Sequence, residues 1–352
     1  MNKLLLTKDL NNKIKFGPSA SIINELKYNK KNYRKICIID HSPSGKDIRN
    51  NKKINNIVIK NLADLVKKFN LILNVVKNSD EIEIHCIFDV LLFFPLIILL
   101  YIYKKEFKIY LRGMVNDNVL VKKKILKKIY LYLARFFIKK ATIIYTSNYE
   151  KENSIKFFEK NKYLIINNKI DKKLISLKYK KVDKKPEQLK ILFFSNIFWK
   201  KNFRFVYTVL KSLDISIELN IYGKCFVNKK SFNKMINDLK KKHKVNYNNY
   251  YSNKNKSKIF FSHHLFFLPT IDENFGHAIV ENFFHFRPCL LSSNTPWHDN
   301  GKYNAGNSFS LNNQSEFLDN IKKFYFMSQK EYNRICFSSK KYIIKKLNSK
   351  NY

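Results

Sequence analysis

Residues 264–281 read HLFFLPTIDENFGHAIVE, which predicts a strand, a loop and the first turns of a helix. The run HLFFLPT is short and apolar, as is typical of a buried strand. The polar letters IDEN interrupt it and predict a loop, and a helix is expected to begin near Gly276. A buried strand that leads through a loop into a helix is the building unit of a parallel α/β sheet. The same unit is therefore expected elsewhere in the chain.

The alternation of β-rich runs and stretches of helical length recurs on both sides of a lysine-rich segment. The runs before that segment are KICIID (35–40), NIVIK (56–60), IEIHCI (82–87), FKIYL (107–111), TIIYTS (142–147) and YLIIN (163–167). The runs after it are LKILFFSN (189–196), ISIELNIYG (215–223), KVNYN (244–248), HLFFLPT (264–270) and CLLSS (289–293). Two such series predict two α/β domains, each with a parallel sheet and helices on both faces.

These series also set the expected domain boundaries. Residues 1–171 are predicted to form an N-terminal Rossmann-like domain, residues 172–188 a hinge, and residues 189–325 a C-terminal Rossmann-like domain. Residues 326–352 are expected to be helical, and a return of this segment to the N-terminal domain stays open. In open α/β sheets, ligands bind outside the carboxyl ends of the strands, so the site is expected in a cleft between the domains.

The charge balance points to an anionic partner. The chain of 352 residues has 68 lysines and arginines against 27 acidic residues, a formal net charge of +41. A membrane surface, nucleic acid and phosphorylated substrates all fit such an excess. A coding bias toward AT-rich codons would also enrich lysine, although it explains the shortage of acids poorly. The sequence leaves both explanations open.

Other compositional features narrow the class of protein. The five cysteines are scattered without C-x-x-C spacing, which argues against a disulfide framework or a zinc site and favours a reducing compartment. The first residues lack the apolar stretch and cleavage site of a secretory signal. The longest apolar run, residues 90–103, is shorter than the ~20 residues of a membrane-spanning helix and contains a proline, so it predicts a buried helix.

The loop and helix of residues 273–281 carry the clearest chemistry. A helix N-terminus exposes unpaired N–H groups and a partial positive charge, so the amides near Gly276, His277 and Ala278 can hold a phosphate or a sugar hydroxyl. Glu273 precedes the helix and Glu281 lies in its second turn, so both carboxylates can accept hydrogen bonds from the hydroxyls of one ligand. Two glutamates at this spacing are also common on ordinary surface helices, and the spacing alone does not establish a site.

A longer stretch strengthens the functional interpretation. From Leu268 to Trp297 the chain reads LPTIDENFGHAIVENFFHFRPCLLSSNTPW, which resembles glycosyltransferase family 4, a large retaining family whose two glutamates have this spacing. The segments that also resemble the family are FGPSASIINEL (16–26), LRGM (111–114), IINNKID (165–171), FFSNIFWKKNF (193–203), IYGK (221–224) and NAGNSFSL (304–311). Five of the seven glycines lie in the matched segments. The resemblance implies the GT-B fold, with two Rossmann-like domains facing a central cleft.

The resemblance also implies roles for individual residues. It places a nucleotide-sugar donor in the C-terminal domain and the acceptor in the N-terminal one, with no metal and no other cofactor. Glu273 would contact the hydroxyls of the donor sugar and Glu281 the ribose. The phosphates would meet Lys201 or its neighbour Lys200 and the amides that follow Phe275. The remaining positions of the implied donor site are Gly17, Asn196, Gly223, Gly276, His277 and Ala278.

Several positions depart from the family pattern. Asn196 stands where the family usually has an arginine that contacts the diphosphate, and Arg112 stands where a histidine that faces the donor sugar is commonest. Arg112 is nevertheless expected to take part in catalysis, as a variant of that position. Phe286 and Lys169 each replace a usual glycine. These departures leave open a catalytically weak or silent relative that acts as a binding protein.

Residues 118–149 contain no acid, and eight basic residues lie between Lys122 and Lys140. Leu126, Ile129, Leu133, Phe136 and Phe137 recur at helical spacing. This pattern predicts either an amphipathic helix with a solvated lysine face or a basic face that rests on anionic lipid. The expected protein is a transferase in surface-polysaccharide assembly, peripheral at the cytoplasmic face of the cell membrane. The rival, a basic nucleic-acid-binding protein, lacks a recognisable binding motif.

Overall fold

The computed structural model describes residues 1–8, 10, 21–23, 25–26, 32–42, 53–85, 87–115, 124–251 and 255–348. The chain divides into two compact units, Met1–Ile170 and Asp171–Tyr352. We refer to them as the first and the second unit. Each described strand belongs to one of two parallel sheets, one in each unit.

The first unit has a seven-stranded parallel sheet in the order β3-β2-β1-β4-β5-β6-β7. Its strands are β1 (Asn2–Lys8), β2 (Lys35–His41), β3 (Ile54–Ile59), β4 (Glu81–Ile84), β5 (Phe107–Tyr110), β6 (Ala141–Tyr145) and β7 (Tyr163–Ile165). Its helices include α1 (Leu62–Lys67), α2 (Phe69–Lys77), α3 (Val90–Ile102), α4 (Lys124–Phe137) and α5 (Asn148–Ser154). Successive side chains of a strand point to opposite faces, and in β1 Leu4 and Leu6 join the large apolar core while Leu5 joins a smaller one.

The second unit has a six-stranded parallel sheet in the order β10-β9-β8-β11-β12-β13. Its strands are β8 (Lys190–Phe194), β9 (Glu218–Tyr222), β10 (Lys244–Asn248), β11 (Leu265–Leu268), β12 (Cys289–Ser292) and β13 (Gly306–Phe309). Its helices are α6 (Lys172–Ile175), α7 (Phe203–Lys211), α8 (Lys229–Leu239), α9 (Lys256–Phe261), α10 (His277–Phe284), α11 (Gln314–Phe326) and α12 (Gln329–Asn348). Strands β8, β11 and β12 have almost fully buried side chains, as expected for a sheet covered on both faces.

The prediction of two parallel α/β domains is confirmed, and each β-rich run found in the sequence overlaps a strand. Two strands were missed. The first is β1, whose sequence NKLLLTK is rich in leucine, a good helix former. The second is β13, whose sequence GNSF is short and polar and lacks the apolar pattern of a buried strand. Strand β1 pairs with both β2 and β4, so the missed strand lies in the interior of its sheet.

The segment expected to act as a hinge and the C-terminal helix both belong to the second unit and contact other parts of it. The amide of Lys184 donates to Gln329 Oε1 at 2.8 Å, and the Lys184 ammonium donates to the carbonyl of Tyr325 at 3.0 Å. On α12, Tyr342 donates to Asp299 at 2.5 Å and Lys346 pairs with the same carboxylate at 2.7 Å. The described part of residues 326–352 therefore packs against the rest of the second unit.

Candidate functional site

The loops after β8, β9 and β11 meet at the carboxyl edge of the second sheet. The carbonyl of Lys200, in the loop after β8, accepts from the amide of Ile271 and from the hydroxyl of Thr270, both at 2.8 Å. These two residues lie in the loop after β11. Because the strands are parallel, their carboxyl ends share one edge, which is where α/β sheets bind ligands.

Glycine at position 276 is explained by the backbone. Gly276 is the N-cap of α10 and has a φ of +69°, in the left-handed region that residues with a Cβ seldom adopt. A Cβ there would also lie 2.8 Å from Ile279 Cδ1 and 3.1 Å from Glu273 Cγ. A glycine supplies no capping side chain, so the first turn of α10, with His277 and Ala278, relies on another acceptor for its amides. The prediction that a helix begins here is confirmed.

Glu273 faces a lysine of the neighbouring loop. Its carboxylate forms a very short ion pair with the ammonium of Lys201, and both side chains are largely buried. The adjacent residues form a parallel pair, in which Lys200 Nζ lies 3.1 Å from Asp272 Oδ2. The backbone of Glu273 is held as well, because its amide donates to the carbonyl of Asn294 at 3.1 Å. Two cations and two carboxylates therefore lie between the loops after β8 and β11.

Glu281 faces a different lysine, which sequence reasoning missed. Its Oε2 lies 2.5 Å from the ammonium of Lys256, at the start of α9. The Lys256 ammonium also lies 5.7 Å from the ring of Phe194, the last residue of β8. Lys256 is separated from Glu281 by 25 positions and belongs to another helix, so no spacing signal links the two. The predicted ribose contact is thus already paired with a cation.

Asn196 and Gly223 join the ends of β8 and β9. Gly223 has a φ of +142°, and a Cβ there would lie 2.1 Å from the carbonyl oxygen of Ser195, so the two backbones approach too closely for any other residue. Asn196 Oδ1 accepts from the amide of Lys224 at 3.2 Å. Asn196 therefore has a defined role in the loop, although it lacks the positive charge that the resemblance led us to expect at this position.

Aromatic residues near the start of α10 hold the loop that precedes this helix. Trp297 is fully buried, and its indole N–H donates to the carbonyl of Phe275 at 2.6 Å. The rings of Phe275 and His277 lie 4.7 Å apart between centroids. This geometry gives Trp297 an ordinary packing role. It holds the residue that immediately precedes Gly276.

Arg112 lies in the first unit and is almost fully engaged. It has a φ of +46°, and its guanidinium donates to His85 Nδ1 at 3.1 Å, to Asn168 Oδ1 at 2.9 Å and to Glu25 Oε2 at 3.2 Å. Burial lowers the pKa of His85 to about 4, and Arg112 adds to this shift. Burial also raises the pKa of Glu25, against the opposing effect of Arg112. The arrangement is that of a buried polar network.

That network continues along the sheet. Glu83 on β4 lies 2.9 Å from the ammonium of Lys3 on β1, and it accepts from the hydroxyl of Tyr110 at 3.1 Å. Burial alone would raise the pKa of Glu83, but His85 and Lys3 outweigh it and lower that pKa to about 2. His85 is completely buried, and its Nε2 lies 3.5 Å from Glu83 Oε2, so His85 is a member of this network.

The predicted donor-site residues of the second unit are brought together, and the others are not part of that group. Glu273, Lys200, Lys201, Asn196, Gly223 and the start of α10 occupy adjacent loops of the second sheet, with Glu281 one turn further along α10. Arg112 belongs to the first unit, and Gly17 lies outside the described residues. Over the described ranges, no three His, Cys, Asp or Glu side chains gather in a way that would hold a metal ion.

Comparisons with known proteins bear on the class of protein and on the fold. Residues 176–335 match the family model of glycosyl transferases group 1. This range contains the loops of the second unit described above and no residue of the first unit. No curated protein matches the chain.

Solved structures of similar fold extend the comparison to the full chain. HepE of Anabaena, crystallised with UDP and glucose, shares 11% identity over 97% of this chain and 95% of its own, with a TM-score of 0.72. WaaG, a glycosyltransferase involved in lipopolysaccharide biosynthesis, shares 12% identity over 100% and 96%, with a TM-score of 0.70. A glycosyltransferase from Rickettsia africae shares 15% identity over 98% and 93%, with a TM-score of 0.71. The chain therefore has the fold of GT-B glycosyltransferases, with two Rossmann-like units.

Proposed function

We propose that this protein is a glycosyltransferase that moves a sugar, with retention, from a nucleotide-sugar donor to a glycan or lipid-linked acceptor. The carrying observation is the pairing of Glu273 with Lys201 beside the glycine-capped start of α10. The match of residues 176–335 to glycosyl transferases group 1 supports the class of reaction. The donor-bound structures of similar fold support a nucleotide sugar, since HepE was crystallised with UDP-glucose.

The ion pairs suggest how the donor is bound. A diphosphate that approaches Lys201 competes with Glu273 for the same ammonium, and the released carboxylate then accepts hydrogen bonds from the sugar hydroxyls. The same exchange at Lys256 releases Glu281 for the ribose. Each charge thus keeps a partner in both states, which avoids the cost of an unpaired, largely buried charge.

The chemical step relies on electrostatic stabilisation of the leaving diphosphate. Lys201, Lys200 and the amides at the start of α10 are donors fixed before the reaction, and they stabilise the negative charge that develops as the sugar leaves. Retention, in the family that the sequence resembles, uses a donor phosphate oxygen to accept the acceptor proton, so the reaction needs neither a metal nor a protein base. Glu273 positions the anomeric carbon.

The biological setting is proposed on the same basis. A role in surface polysaccharide assembly is supported by the similarity of fold to WaaG, a glycosyltransferase involved in lipopolysaccharide biosynthesis. The acceptor is then a growing glycan, free or lipid-linked, at the cytoplasmic face of the membrane. Membership of glycosyltransferase family 4, specifically, rests on the sequence motifs.

A second candidate is a relative that binds a nucleotide sugar but transfers it poorly. The favouring observation is that Asn196 brings no charge to the diphosphate and instead accepts from the Lys224 amide. In addition, the guanidinium of Arg112 is held by three partners in the first unit. Both would leave the phosphates to lysine side chains alone.

The proposed donor site is tested by separating the two glutamates. A thermal-shift screen of the full chain against UDP-, GDP-, ADP- and CMP-sugars first identifies the donor, because a ligand of the native state raises the midpoint. Glu281→Ala should then weaken both the free nucleoside diphosphate and the intact donor, by roughly tenfold for one lost hydrogen bond to a charged group. Glu273→Gln should leave the free diphosphate within about threefold and reduce transfer by ~100-fold.

The contrast between the two variants decides the outcome. Glu316→Gln, a matched change in the first turn of α11 and outside the site, should alter neither binding nor transfer. If both glutamate variants behave like this control, the enzyme interpretation is wrong. Donor binding that depends on Glu281 without any transfer would select the silent relative.

A further inference from the structure

Helix α4 presents an apolar row to solvent. Ile125 and Tyr132 are 74% and 72% exposed, and the row continues through residues that are at least half exposed. The members of this row are Ile125, Leu126, Ile129, Tyr132, Leu133 and Phe136. Four of the six, all except Ile125 and Tyr132, belong to the apolar pattern of the sequence. An amphipathic helix of a soluble domain ordinarily turns such residues toward the core, so this orientation needs a reason.

The rotation of α4 is fixed by its other face. Leu131, Ala134 and Ile138 are buried in the core of the first unit. Tyr130 packs against Phe93 with ring centroids 6.1 Å apart, and its hydroxyl donates to the carbonyl of Ile87 at 2.8 Å. The helix therefore has apolar residues on two sides, and the solvent-facing row is not a misplaced core face.

The end of helix α3 enlarges the row into a surface. Tyr101 lies 5.2 Å from Phe136 between ring centroids, and the next residues, Ile102 and Tyr103, are also exposed. We call the exposed residues of α4 together with these three the α3–α4 surface. Isolated exposed apolar side chains are normal on soluble proteins, but a contiguous group from two helices marks an interaction site.

Basic residues are interleaved with the apolar ones. Lys128, Lys139 and Lys140 are exposed, and the Lys139 ammonium lies 4.8 Å from the ring centroid of Phe136. No acid occurs from residue 118 to residue 149. The acid nearest along the chain to the α3 part of the surface is Glu106, beyond the exposed Lys104. The surface is therefore both apolar and cationic.

This combination selects one occupant. A helix that lies in a membrane interface buries apolar and aromatic side chains at the level of the headgroups while its lysines meet anionic lipid. A second copy of this chain would bring the same lysines and the same net charge of +41 against the surface. A nucleic acid would use the lysines but would leave the aliphatic row of Ile125, Leu126, Ile129 and Leu133 without a partner.

We infer that the α3–α4 surface inserts into the headgroup region of an anionic bilayer and docks the protein on it. This goes beyond the proposed transfer reaction and stands on different residues. No helix within the described ranges has the length and hydropathy of a membrane span. The surface makes attachment a matter of apolar insertion as well as of charge, whereas a basic face alone would bind by charge only.

The test uses the full chain and vesicles of phosphatidylcholine with or without phosphatidylglycerol. The apolar variant combines Ile129→Ser, Leu133→Ser and Phe136→Ser, and it should bind anionic vesicles at least tenfold more weakly at both low and high salt. The basic variant combines Lys128→Gln, Lys139→Gln and Lys140→Gln. It should lose at least tenfold at low salt and little at high salt, because salt screens the lysine contribution.

Matched controls come from exposed residues elsewhere. Leu62→Ser with Val66→Ser removes two exposed apolar residues of α1, and Lys229→Gln, Lys230→Gln and Lys234→Gln removes three charges from α8. Each control should bind vesicles within twofold of the parent. Arg135 is not a suitable target, because its guanidinium donates to the carbonyls of Phe157 and Lys156, both at 3.2 Å.

The outcomes separate the alternatives. Binding of the apolar variant equal to that of its control would overturn the inference, as would parent protein that binds single-stranded DNA but not anionic vesicles. Dimerisation of the parent that the apolar variant abolishes, without vesicle binding, would assign the surface to a second copy. The thermal shift with nucleotide sugar reports the donor site independently and should be unchanged in every one of these variants.

Discussion

Two groups of charged residues lie in the two units, and they differ in how their charges are shared. In the second unit, Glu273 and Glu281 each face one lysine that comes from another loop or helix. In the first unit, the Arg112 guanidinium holds three partners at once, and Glu83 is shared by Lys3 and Tyr110. A single pair can exchange its partner for a ligand at little cost. A network in which each member holds several others cannot, because removal of one member strands the rest.

This difference teaches which group is built to change partners. The lysines of the second unit remain partly accessible, with 15% exposure for the side chain of Lys201 and 27% for that of Lys256. The side chain of Arg112 is 4% exposed. We therefore assign ligand exchange to the second unit, and we expect the Arg112 network to behave mainly as structure. The predictions that follow test this division.

The largest expected effect is a difference in acid sensitivity between the units. Burial lowers the pKa of His263, His264 and His285 to about 4, from an ordinary 6.5, and all three belong to the second unit. A folded pKa below the unfolded one means that the unfolded chain takes up protons first. Stability is therefore complete above pH 6.5 and falls as the pH drops toward 4. At pH 5 each such histidine costs about 2 kcal/mol, or roughly 6 kcal/mol for three.

The first unit should lose less over the same range. It has one such histidine, His85, whose pKa is lowered to about 4. Burial raises the pKa values of Glu25 and Glu150, so these groups bind protons more readily in the folded state and offset part of the loss as the pH falls. Glu83, with a pKa of about 2, adds its own loss only below about pH 4.5.

Hydrogen exchange followed by mass spectrometry at pH 7.5 and pH 5, corrected for intrinsic rates, resolves the two units. His264→Gln should reduce the acid response of the second unit by about a third, because His264 Nδ1 accepts from the Lys190 amide at 3.0 Å and protonation would break that bond. His298→Gln, at an exposed histidine, should leave the response unchanged. Equal losses of protection in both units would contradict the prediction that the second unit is the more sensitive to acid.

The next effect concerns the network around Arg112. Arg112→Met removes all three hydrogen bonds and leaves the largely buried Glu25 without its cation, so we expect a loss of about 3–5 kcal/mol in the free energy of unfolding. Urea unfolding of the full chain measures it. The double change Arg112→Met with Glu25→Gln should recover part of the loss, because the stranded carboxylate is then neutral.

A ligand measurement separates the structural role of Arg112 from the catalytic one that the family resemblance implies. Binding of the nucleoside diphosphate under conditions where Arg112→Met remains folded should stay within about twofold of the parent, since the donor-site residues lie in the second unit. A variant of unchanged stability with strongly reduced transfer would instead restore Arg112 to the catalytic residues.

The sequence was sufficient to predict the parallel α/β units and the position of the glycine-capped helix, because both depend on local signals. A short apolar run such as KILFF, followed by a polar loop, indicates a buried strand, and a glycine at position 276 is required by the backbone angle there. Strand β1 was not predicted because its leucines favour a helix in isolation. It forms a strand through its pairing with β2 and β4.

The contacts between distant residues and the orientation of α4 could not be predicted from the sequence for a related reason. Periodicity shows which residues of a helix share a face, but it does not show which face the rest of the protein covers, and α4 has apolar residues on both. The Lys256–Glu281 pair joins α9 to α10, and no spacing along the chain encodes it. Such contacts are set by packing, which a single sequence does not display.

The smallest expected effect tests whether the loop after β8 can accept the charge that it lacks. Asn196→Arg would place a guanidinium where the family resemblance implies a contact with the diphosphate, and a charge-assisted hydrogen bond contributes roughly 1.5–3 kcal/mol. The arginine also gives up the bond that Asn196 Oδ1 accepts from the Lys224 amide, which offsets about 1 kcal/mol by loosening the loop. The expected net result is a three- to thirtyfold tightening of donor binding, measured by calorimetry. Asn196→Ala gives up the same loop bond without adding charge and should weaken binding slightly. If the arginine variant follows the alanine variant, the loop does not face the diphosphate, and Lys201 loses its proposed role with it.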